Sequence, residues 1–159
     1  MNKKQVKIII SWTTVLIWMV VIFNLSSQPA HQSNKLSTGV TQVIIKTVKK
    51  VAPNTNFDIK KFNHYVRKNA HFFAYLVLGV LVMNALRRSD VFRYKFFALL
   101  ICIFYAISDE LQQIFVPGRG PQVKDVFIDS AGAVVGILAY LVIMKIKKKI
   151  MTVGMLCNR

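Results

Sequence analysis

Four of the six acidic residues in this chain of 159 residues fall between positions 109 and 129, inside or beside strongly apolar runs. Asp109 and Glu110 are adjacent, and they follow the run "FFALLICIFYA", which is long enough to enter a lipid bilayer. A carboxylate in hydrocarbon costs several kcal/mol unless it is paired, neutralised or hydrated, and intramembrane ionisable residues usually serve a function. These two carboxylates are therefore the first candidates for a functional site.

A second group of polar residues recurs at helical spacing around the other apolar runs. Asp125 and Asp129 are four residues apart and share a helical face with two glycines, Gly132 and Gly136, which would allow another helix to approach closely. Before the second apolar run, the cationic and histidine positions 60, 64, 67 and 71 fall within one narrow arc. The pattern predicts one outward-open polar pocket between the second, third and fourth apolar spans. Its candidate residues are Lys68, His71, Tyr75, Asp109, Glu110, Gln113, Arg119, Asp125 and Asp129.

Each of these positions also has a purely structural explanation. Carboxylates in the first turns of a helix, such as Asp125 and Asp129, are stabilised by its dipole and by unpaired N–H groups. Arg119 lies in the turn "VPGRGP", and a pair with Asp125 at the rim would contribute little free energy. The structural explanation is preferred for Asp125 and Arg119, and the functional one for Asp109 and Glu110. For His71 the structural and the functional explanations are given equal weight.

Motifs for metal binding and for nucleophilic catalysis are missing from the sequence. His71 with several carboxylates could hold a divalent cation, but no HExxH or comparable spacing exists. Ser108 neighbours acids rather than a base, and no G-x-S-x-G elbow is present. The two cysteines form no CxxC pattern. We expect no metal and no other cofactor, and whether the chain is an enzyme stays open, with a binding role preferred.

The overall composition is that of a membrane protein. The chain is 54% hydrophobic with 22 Lys+Arg against 6 Asp+Glu, a net charge of +16. Such a charge also occurs in nucleic-acid-binding proteins. The apolar runs are too long and too unbroken for a small soluble domain, however, and basic flanks around apolar spans follow the positive-inside rule. We therefore predict membrane lipids and no nucleic acid as partners.

Four apolar segments each have close to the roughly 20 residues that cross a hydrocarbon core. Basic residues before the first span, between the second and third, and after the fourth place both termini in the cytoplasm. The eight Lys/Arg of the segment 26–69 oppose this assignment, but long loops cross membranes with less regard to charge. A cleaved signal peptide is the alternative for the first span, and an uncleaved anchor is preferred because no A-x-A site follows. We predict one all-α domain over residues 1–159, a polytopic transmembrane helical bundle of about four spans. The spans are expected at about 8–25, 70–86, 96–116 and 126–144, with an extracytoplasmic segment 26–69.

The extracytoplasmic segment contains an amphipathic helix. Lysines 46, 49 and 50 lie on one face, and the opposite face carries aliphatic residues. Such a helix either lies on an anionic membrane surface or caps the spans, and both explanations stay open. A break at 53–56 and a new helix starting near Asn56 or Asp58 follow. The aliphatic face consists of Leu36, Val40, Val43, Ile44, Val48 and Val51.

Three longer stretches together resemble the VanZ-like membrane protein family: "KNAHFFAYLVLGVL" at 68–81, "SDELQQIFVPGRG" at 108–120 and "KDVFIDSAGAVVG" at 124–136. The "SSQP" at 26–29 is similar to Gram-positive members. Many relatives have Glu within the H-F-x-x-Y stretch, where this chain has Ala74. The family's recurrent polar residues fall here on Lys68, His71, Tyr75, Ser108, Asp109, Glu110, Gln113, Arg119, Asp125 and Asp129.

This resemblance implies a multi-pass protein of the plasma membrane of a bacterium. The founding member of the family is associated with resistance to teicoplanin-type lipoglycopeptide antibiotics, so this chain is expected to lower their action at the outer membrane face. The expected ligand is a lipid-linked cell-envelope precursor or the lipoglycopeptide itself. The alternatives are a membrane-embedded enzyme acting on an envelope lipid, or a structural accessory subunit. The oligomeric state is left open.

Overall fold

The computed structural model describes residues 1–51 and 58–157, and every regular element among them is an α-helix, which confirms the all-α prediction. The third helix begins at Ile59, where the Asp58 carboxylate accepts a hydrogen bond from the Lys61 N–H at 3.3 Å. The predicted break at 53–56 and the alternative start at Asn56 lie outside the described residues. The helices are α1 (Lys3–Ser26), α2 (Ala30–Val51), α3 (Ile59–Arg88), α4 (Tyr94–Gln113) and α5 (Val123–Cys157).

Three of the described helical segments are long and apolar enough to cross a membrane: Lys3–Ser26, Lys61–Arg88 and Val123–Thr152. Helix α4 covers most of the predicted third span but is not among them. Its last two turns carry Asp109, Glu110 and two glutamines. A fourth crossing by α4, the cytoplasmic termini and the extent of a single domain therefore stay predictions.

Large apolar side chains cover the outside of the bundle. Leu16 and Ile17 of α1, Phe104 of α4, and Leu138 and Val142 of α5 are each more than half exposed. Lipid tails are as apolar as these side chains, so exposing them to a bilayer carries no hydrophobic penalty. This surface is what a membrane-embedded helical bundle requires.

Helices α3 and α5 form the closest pair in the bundle, through three glycines. A Cβ atom added at Gly132 would overlap the backbone carbonyl of Phe72, and one at Gly136 would overlap that of Leu76. From the other side, Gly79 of α3 faces the backbone carbonyl of Ala133, 2.5 Å from the place of a Cβ. Small residues one turn apart therefore bring the two backbones together.

Hydrogen bonds donated by aromatic side chains hold helix α1 against α3, α4 and the residue that follows α3. The Trp18 indole N–H donates to the carbonyl of Ala74 at 2.8 Å, and the Tyr105 hydroxyl donates to that of Met19 at 2.5 Å. Nearer its start, Trp12 donates to the Ser89 hydroxyl at 3.1 Å. Hydrogen bonds of aromatic side chains satisfy their polar atoms without exposing them. These contacts bring the end of α1 beside α4.

Helix α2 contacts α3 through small polar residues. Thr41 is fully buried, and Asn63 of α3 donates a hydrogen bond to the Thr38 hydroxyl at 2.8 Å. Val40 and Val43 remain 52% and 67% exposed. The structure thus places α2 as a cap over the spans, and contact of its aliphatic face with lipid stays a prediction.

The glycine contacts predict a specific loss of stability. Gly136→Ala should lower the free energy of unfolding by about 1–3 kcal/mol, because its methyl group meets the Leu76 carbonyl, which belongs to rigid backbone. Gly39→Ala is the control, since no atom lies within 4 Å of a Cβ at this position of α2. Thermal unfolding of the purified protein in detergent measures both. Equal melting temperatures for the two variants would contradict the packing described here.

Candidate functional site

Three helices each contribute one ionisable side chain to the centre of the bundle. The Nδ1 atom of His71, on α3, lies 3.6 Å from Oδ2 of Asp129, on α5, and 4.0 Å from Oδ2 of Asp109, on α4. Asp109 is 3% exposed and Asp129 is not exposed at all. We call these three residues the carboxylate cluster. Two buried carboxylates that both face the same imidazole nitrogen are a costly arrangement that a merely structural core would not need.

The glycine contacts explain why the cluster forms where it does. Asp129 lies one turn before Gly132, and Gly132 touches the backbone of Phe72, the neighbour of His71. A close approach of the two backbones at that level places the side chains of Asp129 and His71 against each other. The cluster is thus a consequence of small residues on α5.

The end of α1 supplies a further partner. The Ser26 hydroxyl donates a hydrogen bond to Oδ2 of Asp109 at 2.7 Å, and the Ser26 carbonyl accepts one from Nη1 of Arg119 at 2.8 Å. Ser26 is 1% exposed. This single buried residue therefore connects the carboxylate cluster to the loop that follows α4.

Glu110 holds the same loop from the other side. Its Oε2 accepts a hydrogen bond from the Gln122 N–H at 2.8 Å, and its Oε1 accepts one from the Gln113 side chain at 3.3 Å. Within the loop, Gly118 has a φ of 75°, a left-handed conformation that glycine adopts without strain. Glu110 is 5% exposed, so it positions the loop that carries Arg119 from a buried place.

Lys68 and Asp125 form an ion pair at the edge of the cluster, with 2.9 Å between Nζ and Oδ1 and side chains 20% and 18% exposed. The alternative in which Arg119 pairs with Asp125 is therefore wrong. Arg119 reaches the Ser26 carbonyl instead, because the turn after α4 directs it towards α1.

Several buried polar atoms around His71 have no hydrogen-bond partner in the described part of the chain. They include both carboxylate oxygens of Asp129, Oδ1 of Asp109, Nε of Arg119 and the hydroxyl of the fully buried Tyr75. Each such atom costs about 1–3 kcal/mol when left unsatisfied. A group of them at one place indicates a part of the interior built to contact something other than protein.

A cavity of about 190 Å³, the lateral cavity, opens beside the cluster between α1, α2 and α3. Its polar end contains Arg67, His71 and Arg119, and the hydroxyls of Ser33 and Ser37 lie on the α2 side. A second cavity of about 80 Å³ continues from it past Arg67, His71 and Arg119 towards Asp125. The larger cavity is closed by α1 and α2, whereas the smaller one lies between α3, α4, the loop after α4 and the start of α5; the predicted pocket between the second, third and fourth spans stays a prediction. The apolar wall of the lateral cavity consists of Ile22, Leu25, Val40, Val66, Ala70 and Ala74.

Arg67 and Arg119, which we call the cationic mouth, lie close enough to repel each other. Burial lowers the pKa of Arg119 from its ordinary value and Arg67 lowers it further, whereas Asp109 and Glu110 act in the opposite sense. An arginine stays charged under such a shift. Within residues 1–51 and 58–157, neither guanidinium forms an ion pair with a carboxylate. The cavity therefore ends in two positive charges that lack a direct counter-ion.

Comparison with known proteins places the chain in a family. A model of the VanZ/LLP1 family matches residues 11–145, from α1 into α5. The chain belongs to the VanZ/LLP1 family. No curated protein and no solved structure matches it. The match includes the carboxylate cluster and the cationic mouth, and together with the apolar helices it establishes a VanZ-like membrane protein.

The predicted site residues of this VanZ-like protein fall into three places. Tyr75 borders the carboxylate cluster, and its ring centroid lies 6.2 Å from that of Tyr105. Glu110 and Gln113 hold the loop, while Lys68 and Asp125 pair at the edge. Ser108, implied by the resemblance alone, is exposed and donates to a carbonyl of its own helix.

Ser26, Arg67 and Gln122 were missed as site residues. Arg67 lies on the same helical arc as His71, so periodicity could have included it. Ser26 belongs to the "SSQP" stretch, but nothing in its spacing indicates a bond to a residue 83 positions away. Gln122 contributes its backbone N–H, which no side-chain pattern shows.

Proposed function

We propose that this VanZ-like protein binds an anionic amphiphile of the cell envelope, with its apolar chain in the lateral cavity and a phosphate against the cationic mouth. The observation that carries the proposal is the lateral cavity itself, which joins an aliphatic wall to Arg67, His71 and Arg119. A ligand that is apolar at one end and anionic at the other matches both parts.

The chemistry of the mouth favours phosphate. A guanidinium group presents paired N–H donors that match phosphate oxygens, and two guanidinium groups without counter-ions attract a doubly charged group most strongly. Ser33 and Ser37 also line the cavity, and the Ser37 hydroxyl, which donates to the Asn34 carbonyl, keeps an acceptor lone pair. Ala74 adds no charge to the wall, at the place where the family resemblance implies a glutamate in many relatives. Among the described residues that line the lateral cavity, none is acidic.

The volume of the lateral cavity is sufficient for only part of a lipid molecule. A volume of about 190 Å³ is below the roughly 300–1,000 Å³ of sites that enclose a whole drug-sized ligand. A lipid chain would begin in the cavity and continue into the bilayer. The orientation predicted from the basic flanks of the spans would put this end of the bundle at the outer membrane face, where lipid-linked envelope precursors are handled.

The family resemblance implies what the binding of such a lipid would do for the cell. A protein that holds a lipid-linked precursor by its phosphate at the outer membrane face would lower the action of lipoglycopeptide antibiotics such as teicoplanin, whose site of action is that face. An enzyme acting on the lipid and a structural accessory subunit are the competing explanations, and the experiments below separate them.

A photo-crosslinkable polyprenyl phosphate should label the purified protein on α1, α2 and α3. Arg67→Gln/Arg119→Gln should reduce labelling at least tenfold, because glutamine keeps hydrogen-bonding capacity but removes both charges. Arg93→Gln, which alters a cation stacked over Phe92 in the turn before α4, is the matched control. Equal labelling of all three proteins would reject the cationic mouth, and a chemically altered probe would favour the enzyme.

Expression in a sensitive Gram-positive host should raise the minimal inhibitory concentration of teicoplanin. The increase should disappear with Arg67→Gln/Arg119→Gln and persist with Arg93→Gln, at membrane levels matched by immunoblot. Loss of protection only in proportion to a loss of protein level would support the structural subunit. Equal protection by all three proteins would contradict the proposed mechanism.

A further inference from the structure

We propose that the carboxylate cluster binds one divalent transition-metal ion, with Nδ1 of His71 and a carboxylate oxygen each from Asp109 and Asp129 as ligands. The inference rests on the cluster alone and does not depend on which lipid the lateral cavity accepts.

The geometry of the three side chains is close to that of a metal site. One ligand atom from each of them lies within 4.8 Å of the other two, and the imidazole nitrogen lies 3.6 and 4.0 Å from the nearest oxygens. Ligand atoms about 2.1 Å from a tetrahedral zinc ion are about 3.4 Å apart. Small side-chain rotations would therefore bring all three into coordination distance.

Burial and unsatisfied polar atoms are the second, independent observation. Asp129 is fully buried; its Oδ2 faces only Nδ1 of His71, at 3.6 Å, and its Oδ1 has no hydrogen-bond partner among the described residues. Oδ1 of Asp109 likewise has no hydrogen-bond partner among the described residues. Both carboxylates face the same nitrogen of His71, so a protonated imidazole would balance one of the two negative charges in the cluster. A dication with a neutral imidazole balances both carboxylates and satisfies their oxygens.

The surroundings of the cluster have the form of an outer coordination shell. Ser26 donates to Oδ2 of Asp109 and so fixes the rotation of that carboxylate, as partners of metal ligands commonly do. Three protein ligands leave a fourth position open on zinc. The buried hydroxyl of Tyr75 has no hydrogen-bond partner among the described residues, and both carboxylates of the cluster act on it electrostatically.

The ligand types favour zinc over the alkaline-earth ions. Calcium and magnesium prefer six or more oxygen ligands, and a buried site with one nitrogen and two carboxylates supplies too few. Imidazole suits zinc and its neighbours in the transition series. Zinc is therefore the probe, and a proton held by His71 between the two carboxylates is the alternative.

Tag-free protein, purified in detergent and stripped with EDTA, would be titrated with ZnCl₂ by calorimetry, with bound zinc counted by elemental analysis after gel filtration. The expected result is one zinc per chain. Asp109→Asn and Asp129→Asn should each weaken binding at least tenfold. Asp125→Asn, which alters the neighbouring carboxylate paired with Lys68 outside the cluster, should bind zinc as wild type does.

X-ray absorption at the zinc edge keeps the test valid if the variants fold poorly, because it needs wild-type protein alone. A shell of nitrogen and oxygen at about 2.0–2.1 Å with one imidazole is expected. A sulfur shell would assign the metal to cysteine and overturn the proposal. So would wild-type protein that is monodisperse but takes up no zinc, or loss of binding by Asp125→Asn equal to that by Asp129→Asn.

Discussion

The structure depends on the burial of two carboxylates, Asp109 and Asp129, against His71 in the interior of a helical bundle. Withdrawing a carboxylate from water costs free energy, and buried carboxylates persist only where surrounding contacts stabilise them. The α3–α5 glycine contact holds Asp129, and the Ser26 hydroxyl holds Asp109. Without the close backbone approach at Gly132, the imidazole and Asp129 would not meet.

The cluster also organises the site above it. Arg119 donates to the carbonyl of Ser26, and the hydroxyl of the same residue donates to Asp109. An anion that draws Arg119 towards the lateral cavity would therefore act on a residue bonded directly to the cluster. Glu110 contributes from the loop side, since its hydrogen bond to the Gln122 N–H keeps Arg119 within reach of α1. The acids thus hold the loop and the helix end that position Arg119, and in the proposed function the two arginines contact the phosphate.

Much of the fold could be predicted from sequence because hydropathy and helical period depend on neighbouring residues. The apolar runs gave three helices that can cross a membrane, and the arc that holds His71 and Arg67 follows from 100° per residue. The wrong pairing of Arg119 with Asp125 arose because a loop can turn towards any neighbouring helix. Ser26 was missed for the same reason, as the period of α1 says nothing about what its end touches.

The expectation of no metal rested on the lack of a spacing motif. A motif of that kind records two ligands on one helix, whereas the ligands proposed here come one each from α3, α4 and α5. Only the packing of the helices assembles them. Helix α4 was predicted as a span from its apolar run, but its last two turns carry the buried Asp109, Glu110 and Gln113, and it is not among the helices that are long and apolar enough to cross a membrane.

The central claim is that the lateral cavity recognises a phosphate-bearing amphiphile, and its headgroup preference is the most direct test. We would measure equilibrium binding of farnesyl phosphate and of farnesol, which share one chain, to the purified wild-type protein. The account predicts one bound farnesyl phosphate per chain and at least tenfold weaker binding of the alcohol, with the difference decreasing at high salt. Equal affinity for the two ligands, or no binding of either, would contradict it.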